Sequence, residues 1–312
     1  MSTWMGCRGA AVAAAALGVL VSRRAWAHHE ALFGPQSSLA VESEGFVSLQ
    51  AHEHVFGVGD SYDQETAYIV SAGVSPLRHI PWSVAIVQSF TYENARTPQG
   101  NQTGPLSSCG GCVARENVLL STSYRFDFTG LQRATGKDGN FALLSVAFEP
   151  PTGEKDYAPF HGPMNYIFAA MAGFEWSQLA AVGLGYYRLN PSDDTGSKKG
   201  NNWLAGVGFA YTPVDERARM LSLQLGFAAE VHDPDVVAGA NLVSGGWELF
   251  VSPTVVWMPA ARTRFFMYVS LPVAQDYRAD YQVDQWRAGL GVIYSFDRAP
   301  EPPALVAPAD RD

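Results

Sequence analysis

Hydrophobic and polar side chains alternate along most of the chain, and the last regular stretch, residues 285–296, shows the pattern most clearly. Every second residue from Trp286 to Phe296 is apolar, whereas the positions between them include Arg287 and Gly289. A period of two predicts a β-strand with one greasy face and one small or polar face. Aromatic residues at both ends of an aliphatic centre are typical of the outward face of a strand that crosses a bilayer. Such a strand must belong to a closed barrel.

The same alternation predicts twelve strands. Residues 118–128 carry mainly apolar side chains at every second position, with Arg125 and Asp127 on the other face. In the first predicted strand, His52 and His54 share the face opposite to the aliphatic one, because residues two apart project to the same side. The predicted strands cover residues 37–55, 64–75, 82–92, 118–128, 141–148, 164–174, 179–189, 203–211, 221–231, 247–257, 264–271 and 285–296.

Long polar connections alternate with short turns along this series. The connections after the odd-numbered strands are mostly long and those after strands two, six, eight and ten are short, which predicts one rim of long loops and one rim of turns. In bacterial outer-membrane barrels the rim of short turns faces the periplasm. All six tryptophans beyond residue 27 lie at or next to a predicted strand end, where an interfacial girdle would need them. They are Trp82, Trp176, Trp203, Trp247, Trp257 and Trp286.

The first 27 residues have the arrangement of a secretory signal peptide. Arg8 precedes an apolar run at residues 10–21, and an Ala-Trp-Ala cleavage pattern ends at Ala27. The run is too short to cross a membrane as a helix, and no other stretch approaches about 18 uninterrupted apolar residues, so a membrane crossing must use strands. Loss of the three arginines of the signal leaves 18 basic and 30 acidic residues, a net charge of −12. This charge argues against nucleic acid as a partner.

These features predict an all-β fold, a twelve-stranded antiparallel transmembrane β-barrel of the bacterial outer membrane. The domains are then a signal peptide at 1–27, an N-terminal segment at 28–36 that extends into the lumen or the periplasm, the barrel at 37–296, and a disordered periplasmic tail at 297–312. A soluble β-sandwich is the alternative, since alternating strands with turn signals also describe that fold. We expect outer-membrane lipid, the outer-membrane assembly machinery and a small-molecule solute as partners.

Two cysteines and two histidines are candidates for special chemistry. Cys109 and Cys112 would enter an oxidising compartment, and we expect a disulfide between them. Their spacing also suits a redox site or half of a zinc site, but no second Cys-x-x-Cys pair completes the latter. His28 and His29, at the start of the mature chain, are candidate ligands for Cu²⁺ or Ni²⁺, with an exposed polar terminus as the alternative. No cofactor is expected.

Charged and imidazole side chains collect on the predicted inward faces. Five of them lie towards the outer end of the barrel, and two lie near its periplasmic end. Such residues either select the solutes of a pore or only solvate a water-filled lumen. A spanning sheet cannot leave an edge in lipid, so the last strand must pair with the first, and Arg287 becomes a neighbour of the histidines. The candidates are His52, His54, Glu230, Glu248 and Arg287 at the outer end and Arg125 and Asp127 at the other.

The motifs argue against an enzyme. Neither the His-x-Ser-Asn-Gly run of outer-membrane phospholipases nor a Gly-x-Ser-x-Gly elbow is present. The signal, the twelve strands, the Pro-Thr-Gly-Glu-Lys-Asp run at 151–156 and the Tyr-Ser-Phe end at 294–296 resemble an outer-membrane family that is linked to the meta-pathway of phenol degradation and often called transporter-like. The resemblance implies passage of small aromatic or hydrophobic solutes. We therefore predict a passive channel or transporter, with a non-transport barrel, either metal-binding or filled in its lumen, as the alternative.

Overall fold

The structure, a computed structural model, shows a barrel of long antiparallel strands. The predicted signal peptide, N-terminal segment and tail lie outside the residues that it describes, as do residues 37–44 of the predicted barrel. The described residues are 45–58, 61–76, 80–94, 113–130, 140–153, 164–176, 178–213, 221–237, 239–241, 245–260, 262–277 and 283–296.

Twelve long strands follow one another along the chain, as the alternation predicted. They are β1 Gly45–Val58, β2 Ser61–Val74, β3 Trp82–Asn94, β4 Leu119–Asp127, β5 Phe141–Glu149, β6 Asn165–Trp176, β7 Leu179–Leu189, β8 Asn202–Tyr211, β9 Leu221–His232, β10 Gly246–Ala260, β11 Thr263–Tyr277 and β12 Val283–Phe296. A short strand, Val113–Arg115, extends the wall beside β3.

The sheet closes because β1 pairs with β2 on one side and with β12 on the other. Each remaining strand pairs with its neighbours in sequence, so the order around the barrel is the order along the chain. At the seam, His52 lies opposite Gly289 and His54 lies opposite Arg287, as the sequence predicted. Closure gives the backbone groups partners within the sheet, and the fold class predicted from the sequence is confirmed.

The outward face of the barrel is a continuous apolar belt. Leu225, near the middle of β9, is 41% exposed, whereas the residues directly before and after it belong to the inward face. A closed barrel with such a belt is the architecture of proteins of the bacterial outer membrane, and this chain is located there. Exposed members of the belt include Val47, Leu49, Val70, Ile86, Tyr124, Phe126, Leu144, Val146, Phe168, Phe209, Leu223, Leu225, Phe227, Val269 and Leu271.

Aromatic side chains mark both ends of this belt. Three tryptophans lie towards the rim that carries Gly45 and Phe296, which we call the terminal rim, and three lie towards the opposite rim. Interfacial girdles of this kind anchor a barrel at the two membrane surfaces. No helix among the described residues is long and apolar enough to span a membrane. The girdle consists of Trp82, Trp176 and Trp257 near the terminal rim and Trp203, Trp247 and Trp286 near the opposite rim.

Long connections lie at the opposite rim except after the first and the eleventh strands, and both exceptions correct the sequence prediction; only five residues, 278–282, join β11 and β12. A long loop was expected after the first strand, but β1 continues to Val58 and β2 begins at Ser61, so only two residues join them. The two strands remain paired to their ends, with Val58 opposite Ser61. The outermost residues mix apolar, glycine and polar positions, and Phe56 directly follows Val55, so the alternation of apolar side chains is interrupted there. The expected long loop is therefore a tall hairpin.

The register of the closing seam gives a direct test. Ala51 lies opposite Leu290, and both side chains belong to the outward face. We expect cysteines at these two positions, in a chain whose Cys109 and Cys112 are serine, to be joined by a short thiol cross-linker in the folded protein. Directly opposed Cβ atoms in a sheet are about 4.5–5.5 Å apart. The product is measured by its altered electrophoretic mobility after unfolding.

The matched control keeps the cysteine at position 51 and moves the second one to Tyr294. Tyr294 is on the same strand and the same face but four residues, or about 13 Å, further along. Equal cross-linking of both pairs, or none at position 290, would contradict the seam.

Candidate site in the barrel lumen

A ladder of polar side chains runs along the inner face of β1. Ser48 and Ser71 are joined by a hydrogen bond of 2.6 Å between their hydroxyl groups, and Gln50 Nε2 donates to Ser48 Oγ at 3.1 Å. His52 continues the ladder, with Nε2 3.1 Å from Gln50 Oε1 and Nδ1 2.7 Å from the Tyr268 hydroxyl. His52 is only 2% exposed. Hydrogen bonds at both ring nitrogens therefore fix the orientation of the His52 imidazole.

Arg287, on β12, is the centre of a buried group of charges. Its guanidinium donates to the two oxygens of Glu230 at 3.0 and 2.9 Å, to Glu248 Oε1 at 2.8 Å and to Asp284 Oδ2 at 2.7 Å. The Phe250 ring lies against it, 4.3 Å from the guanidinium carbon to the ring centroid. All five side chains are buried. Charges removed from water in this way need close partners, and the four ionic groups provide them for one another.

Two histidines complete this group. His54 Nε2 contacts the Asp284 carboxylate. His232 Nε2 lies 3.5 Å from Glu230 Oε2 and 3.8 Å from Glu248 Oε1. We call the six residues the ionic cluster: His54, Glu230, His232, Glu248, Asp284 and Arg287.

The ionic cluster crosses the interior of the barrel instead of following its wall. Its members come from β1, β9, β10 and β12, and Arg287 reaches Glu230 over the intervening strands β10 and β11. At this level β11 presents the short side chains of Ser270, Pro272 and Ala274, which leave room for the arginine. The cluster lies in the half of the barrel next to the opposite rim. Its buried side chains occupy part of the interior at this level.

The other predicted lumen pair lies near the terminal rim. Arg125 Nε donates to Asp127 Oδ1 at 2.6 Å, and the guanidinium carbon of Arg125 lies 4.5 Å from the centroid of the Phe141 ring. Arg125 is buried, whereas Asp127 is exposed at the strand end. The pair is separate from the ionic cluster, in agreement with its predicted position.

A third polar group, near the opposite rim, was not found from the sequence. Arg188 of β7 contacts the carboxylate of Glu149, and Arg188 Nε donates to Asn190 Oδ1 at 2.9 Å. Asn165 Nδ2 donates to Glu149 Oε2 at 2.8 Å. Both charged residues continue the inward alternation of their strands, so the period of two was the signal that could have identified them.

Apolar and small polar side chains share the remaining inner wall. The main apolar patch extends over β2 to β8, on the side away from the ionic cluster, among buried hydroxyl groups such as those of Ser71, Ser89 and Ser145. A smaller apolar patch lies near the terminal rim on β1, β10, β11 and β12. The interior therefore has the ionic cluster on one side and the main apolar patch on the other. The main apolar patch contains Ala67, Ile69, Val87, Leu119, Ala147, Ile167, Tyr186 and Leu204, and the smaller patch contains Phe46, Val256, Phe266 and Ile293.

Two glycines of β12 accommodate aromatic rings from β11. A Cβ atom at Gly289 would lie 2.4 Å from the Tyr268 ring, and one at Gly291 would lie 2.6 Å from the Phe266 ring. Each ring therefore occupies the space that a side chain would fill if another residue replaced the glycine, as is common where an aromatic residue covers a strand glycine. This packing also sets the position of the Tyr268 hydroxyl that binds His52.

The structure brings four of the five candidates from the outer end together, and places the fifth beside them. His54, Glu230, Glu248 and Arg287 are members of the ionic cluster, while His52 belongs to the polar ladder. The predicted disulfide residues Cys109 and Cys112 and the predicted metal ligands His28 and His29 lie outside the described residues.

Two members of the ionic cluster were missed. His232 lies two residues after Glu230 on the same strand, so the period of two could have revealed it. Asp284 could not be found in this way, because it lies three residues before Arg287 and should face outward. A β-bulge resolves the conflict: Val55 pairs with Trp286 and the next residue of β1 pairs with Asp284, which leaves one extra residue on β12 and turns Asp284 inward.

No family model matches the chain, and no curated protein matches its sequence. The fold is similar to the COG4313 outer membrane channel from Pseudomonas putida F1, with a TM-score of 0.60 and 12% identity over 81% of this chain and 94% of that chain. The NanC porin has a TM-score of 0.46 and 9% identity over 81% and 100% of the two chains. For the translocator domain of autotransporter NalP from Neisseria meningitidis the values are 0.49 and 12% over 86% and 96%.

At these identities the likeness concerns the fold, and it is greatest, among these three, for the channel with the TM-score of 0.60. The chain is a twelve-stranded β-barrel of the outer-membrane type, the class to which channels and porins belong. None of these names refers to phenol degradation, so the resemblance is supported only as far as an outer-membrane barrel.

Proposed function

We propose that this barrel is a passive outer-membrane channel for small solutes that are at least partly apolar, such as simple aromatic compounds. The observation that carries the proposal is the two-sided lumen, in which an apolar patch over seven strands lies away from the ionic cluster. Binding sites for small organic molecules combine mainly apolar walls with a few well-placed polar groups. Partly buried apolar side chains such as Leu184 lie beside this patch and could contact such a solute.

The ionic cluster would act as the selective constriction of this channel. Fixed charges and hydrogen-bonding groups at a narrow level decide which solutes pass. Arg287 contacts three carboxylates but neutralises the charge of only one, so the cluster would disfavour anionic solutes. The named channel of similar fold is consistent with transport, although the likeness itself extends only to the architecture.

A barrel without transport is the second candidate, and one observation favours it. Side chains of the ionic cluster and of the main apolar patch are all less than a tenth exposed, and Arg287 connects strands across the lumen, which is expected of a filled interior. The two proposals differ in whether a continuous path exists.

Conductance in planar lipid bilayers separates them. We expect the purified barrel to produce discrete current steps, and small aromatic alcohols to reduce the current more than sugars of similar size do. Folding is checked first by the resistance of the barrel to detergent unfolding at room temperature. Absence of steps from folded protein would support the filled barrel. If the aromatic alcohol and the sugar reduce the current steps equally, the barrel is a channel but has no preference for apolar solutes.

A pair of variants at one lumen position sharpens the test. Leu184, on the inner face of β7, packs against the main apolar patch and is only partly buried, so that a solute in the lumen could contact it. We expect Leu184→Thr to weaken the reduction of current by the aromatic alcohol several-fold, because a hydroxyl replaces apolar surface. Leu184→Val is the control, since valine has nearly the shape of threonine but no hydroxyl. Equal effects of the two substitutions would show that the apolar surface at this position does not contribute to solute binding.

A further inference from the structure

Two glutamates lie directly opposite each other inside the barrel. Glu230 of β9 and Glu248 of β10 form a register pair, both side chains face the lumen, and both are buried. Like charges in directly opposed positions destabilise a sheet, and burial strengthens their repulsion. Such a pair requires positive charge nearby.

Arg287 supplies only part of that charge. The described cluster contains three carboxylates, from Glu230, Glu248 and Asp284, and one guanidinium. With neutral imidazoles, the cluster carries two more negative than positive charges. Buried charge of this size is costly unless a cation or protons compensate it.

His232 and the two glutamates have the arrangement of a metal site. One ligand atom from each of the three residues can be chosen so that all lie within 4.8 Å of one another. His232 Nε2 is 3.5 Å from Glu230 Oε2 and 3.8 Å from Glu248 Oε1, longer than the usual hydrogen-bond distance of about 2.7–3.2 Å. Ligands at about 2.0–2.1 Å from a tetrahedral Zn²⁺ are separated by about 3.3 Å. A small inward movement would therefore place the three around one ion.

A second observation points to a ligand in the same place. Glu248 is 1% exposed, and its Oε2 accepts no hydrogen bond from the described residues. The arginine occupies only the other oxygen of this carboxylate, Oε1. A buried carboxylate oxygen without a donor is rare in native proteins and calls for an unseen partner such as an ion.

We propose that Glu230, His232 and Glu248 bind one divalent first-row transition-metal ion, such as Zn²⁺, inside the barrel. One imidazole and two carboxylates are ligands that Zn²⁺ accepts, and water can complete the coordination. The ion adds two positive charges, which balances the ionic cluster with both histidines neutral. The ligands come from β9 and β10 at the level of the constriction, so the ion joins these strands beside Arg287 and lies where solutes pass.

The experiment uses the untagged mature chain, refolded in detergent and stripped with a chelator. His28 and His29 are replaced by alanine, and Cys109 and Cys112 by serine, so that the other candidate ligands do not contribute. Binding of Zn²⁺ is measured by calorimetry, and Co²⁺ serves as a second probe through its visible absorption. We expect one ion per chain and a higher temperature of unfolding in its presence, because an ion that binds only the folded state stabilises it.

Variants connect the binding to these residues. We expect His232→Gln and Glu248→Gln each to reduce the affinity for Zn²⁺ at least tenfold. Glu149→Gln is the matched control and should leave it unchanged, because Glu149 is a buried lumen carboxylate that pairs with Arg188 outside the ionic cluster. If the chain with Glu230, His232 and Glu248 intact binds no ion, the proposal is wrong. Unaltered affinity in both His232→Gln and Glu248→Gln would equally overturn it.

Discussion

Arg287→Gln is expected to destabilise the folded barrel by about 3–5 kcal/mol, the cost of removing one partner from a buried ionic group. The substitution leaves the carboxylates of Glu230, Glu248 and Asp284 in the lumen without the guanidinium that contacts all three. It also removes the cation that packs on the Phe250 ring. The effect is measured as the free energy of unfolding by urea from lipid vesicles, with a chelator present throughout.

Two further variants make this prediction specific. Arg125→Gln removes a buried arginine but leaves the carboxylate of Asp127 at the exposed strand end, so no buried charge loses its partner and we expect a smaller loss of about 1–2 kcal/mol. Adding Glu230→Gln to Arg287→Gln should restore part of the lost stability, since one uncompensated charge disappears with it. Equal losses of stability at the two arginines, without recovery in the double variant, would show that the ionic cluster contributes no more to the free energy of unfolding than the contacts of Arg125 do.

Leu225→Arg is expected to cost about 2–4 kcal/mol of folding free energy in a bilayer, because it places a charge on the lipid face near the middle of β9. The residue is 41% exposed on the apolar belt and pairs with Phe209 on one side and with Pro253 on the other. Reversible folding into vesicles of defined lipid gives the difference in free energy from the wild-type chain.

The same substitution at the end of a strand is its control. Leu179 is the first residue of β7, lies at the terminal rim and is 62% exposed. We expect Leu179→Arg to cost only about 0–1 kcal/mol, because the penalty for a charge falls towards the interface. A loss at Leu179 as large as that at Leu225 would mean that β9 does not cross the bilayer at this depth.

Strand number and facing could be predicted from the sequence because both depend on the period of two. Lipid requires apolar side chains on one face at every depth, so the signal persists along each membrane-spanning segment. This alternation of apolar side chains ends where the strands extend beyond the membrane. The prediction for β11 stopped at residue 271, but the strand continues to Tyr277, past Pro272 and several polar residues. The hairpin of β1 and β2 was underestimated for the same reason.

The candidate site could be predicted only in part. Alternation and strand direction identified His54, Glu230, Glu248 and Arg287 as inward residues at one end of the barrel. Alternation has no means of showing that Arg287 reaches across two strands to Glu230, since that depends on the cross-section of the closed barrel. The bulge that turns Asp284 inward depends on how β12 pairs with β1, which leaves no pattern in the sequence of either strand.

The two glycines under the aromatic rings of β11 have a consequence for the bore of the barrel. Tyr268 and Phe266 lie flat against β12 because Gly289 and Gly291 have only hydrogen atoms there. A methyl group at either position would lift the ring from the wall towards the axis, by about an ångström if contacts are to reach an ordinary carbon separation of about 3.5–4.0 Å. The free cross-section of the conduit would shrink without any new charge or any change in the strands. Alanine at these sites is thus a way to tune the width of the passage separately from its chemistry.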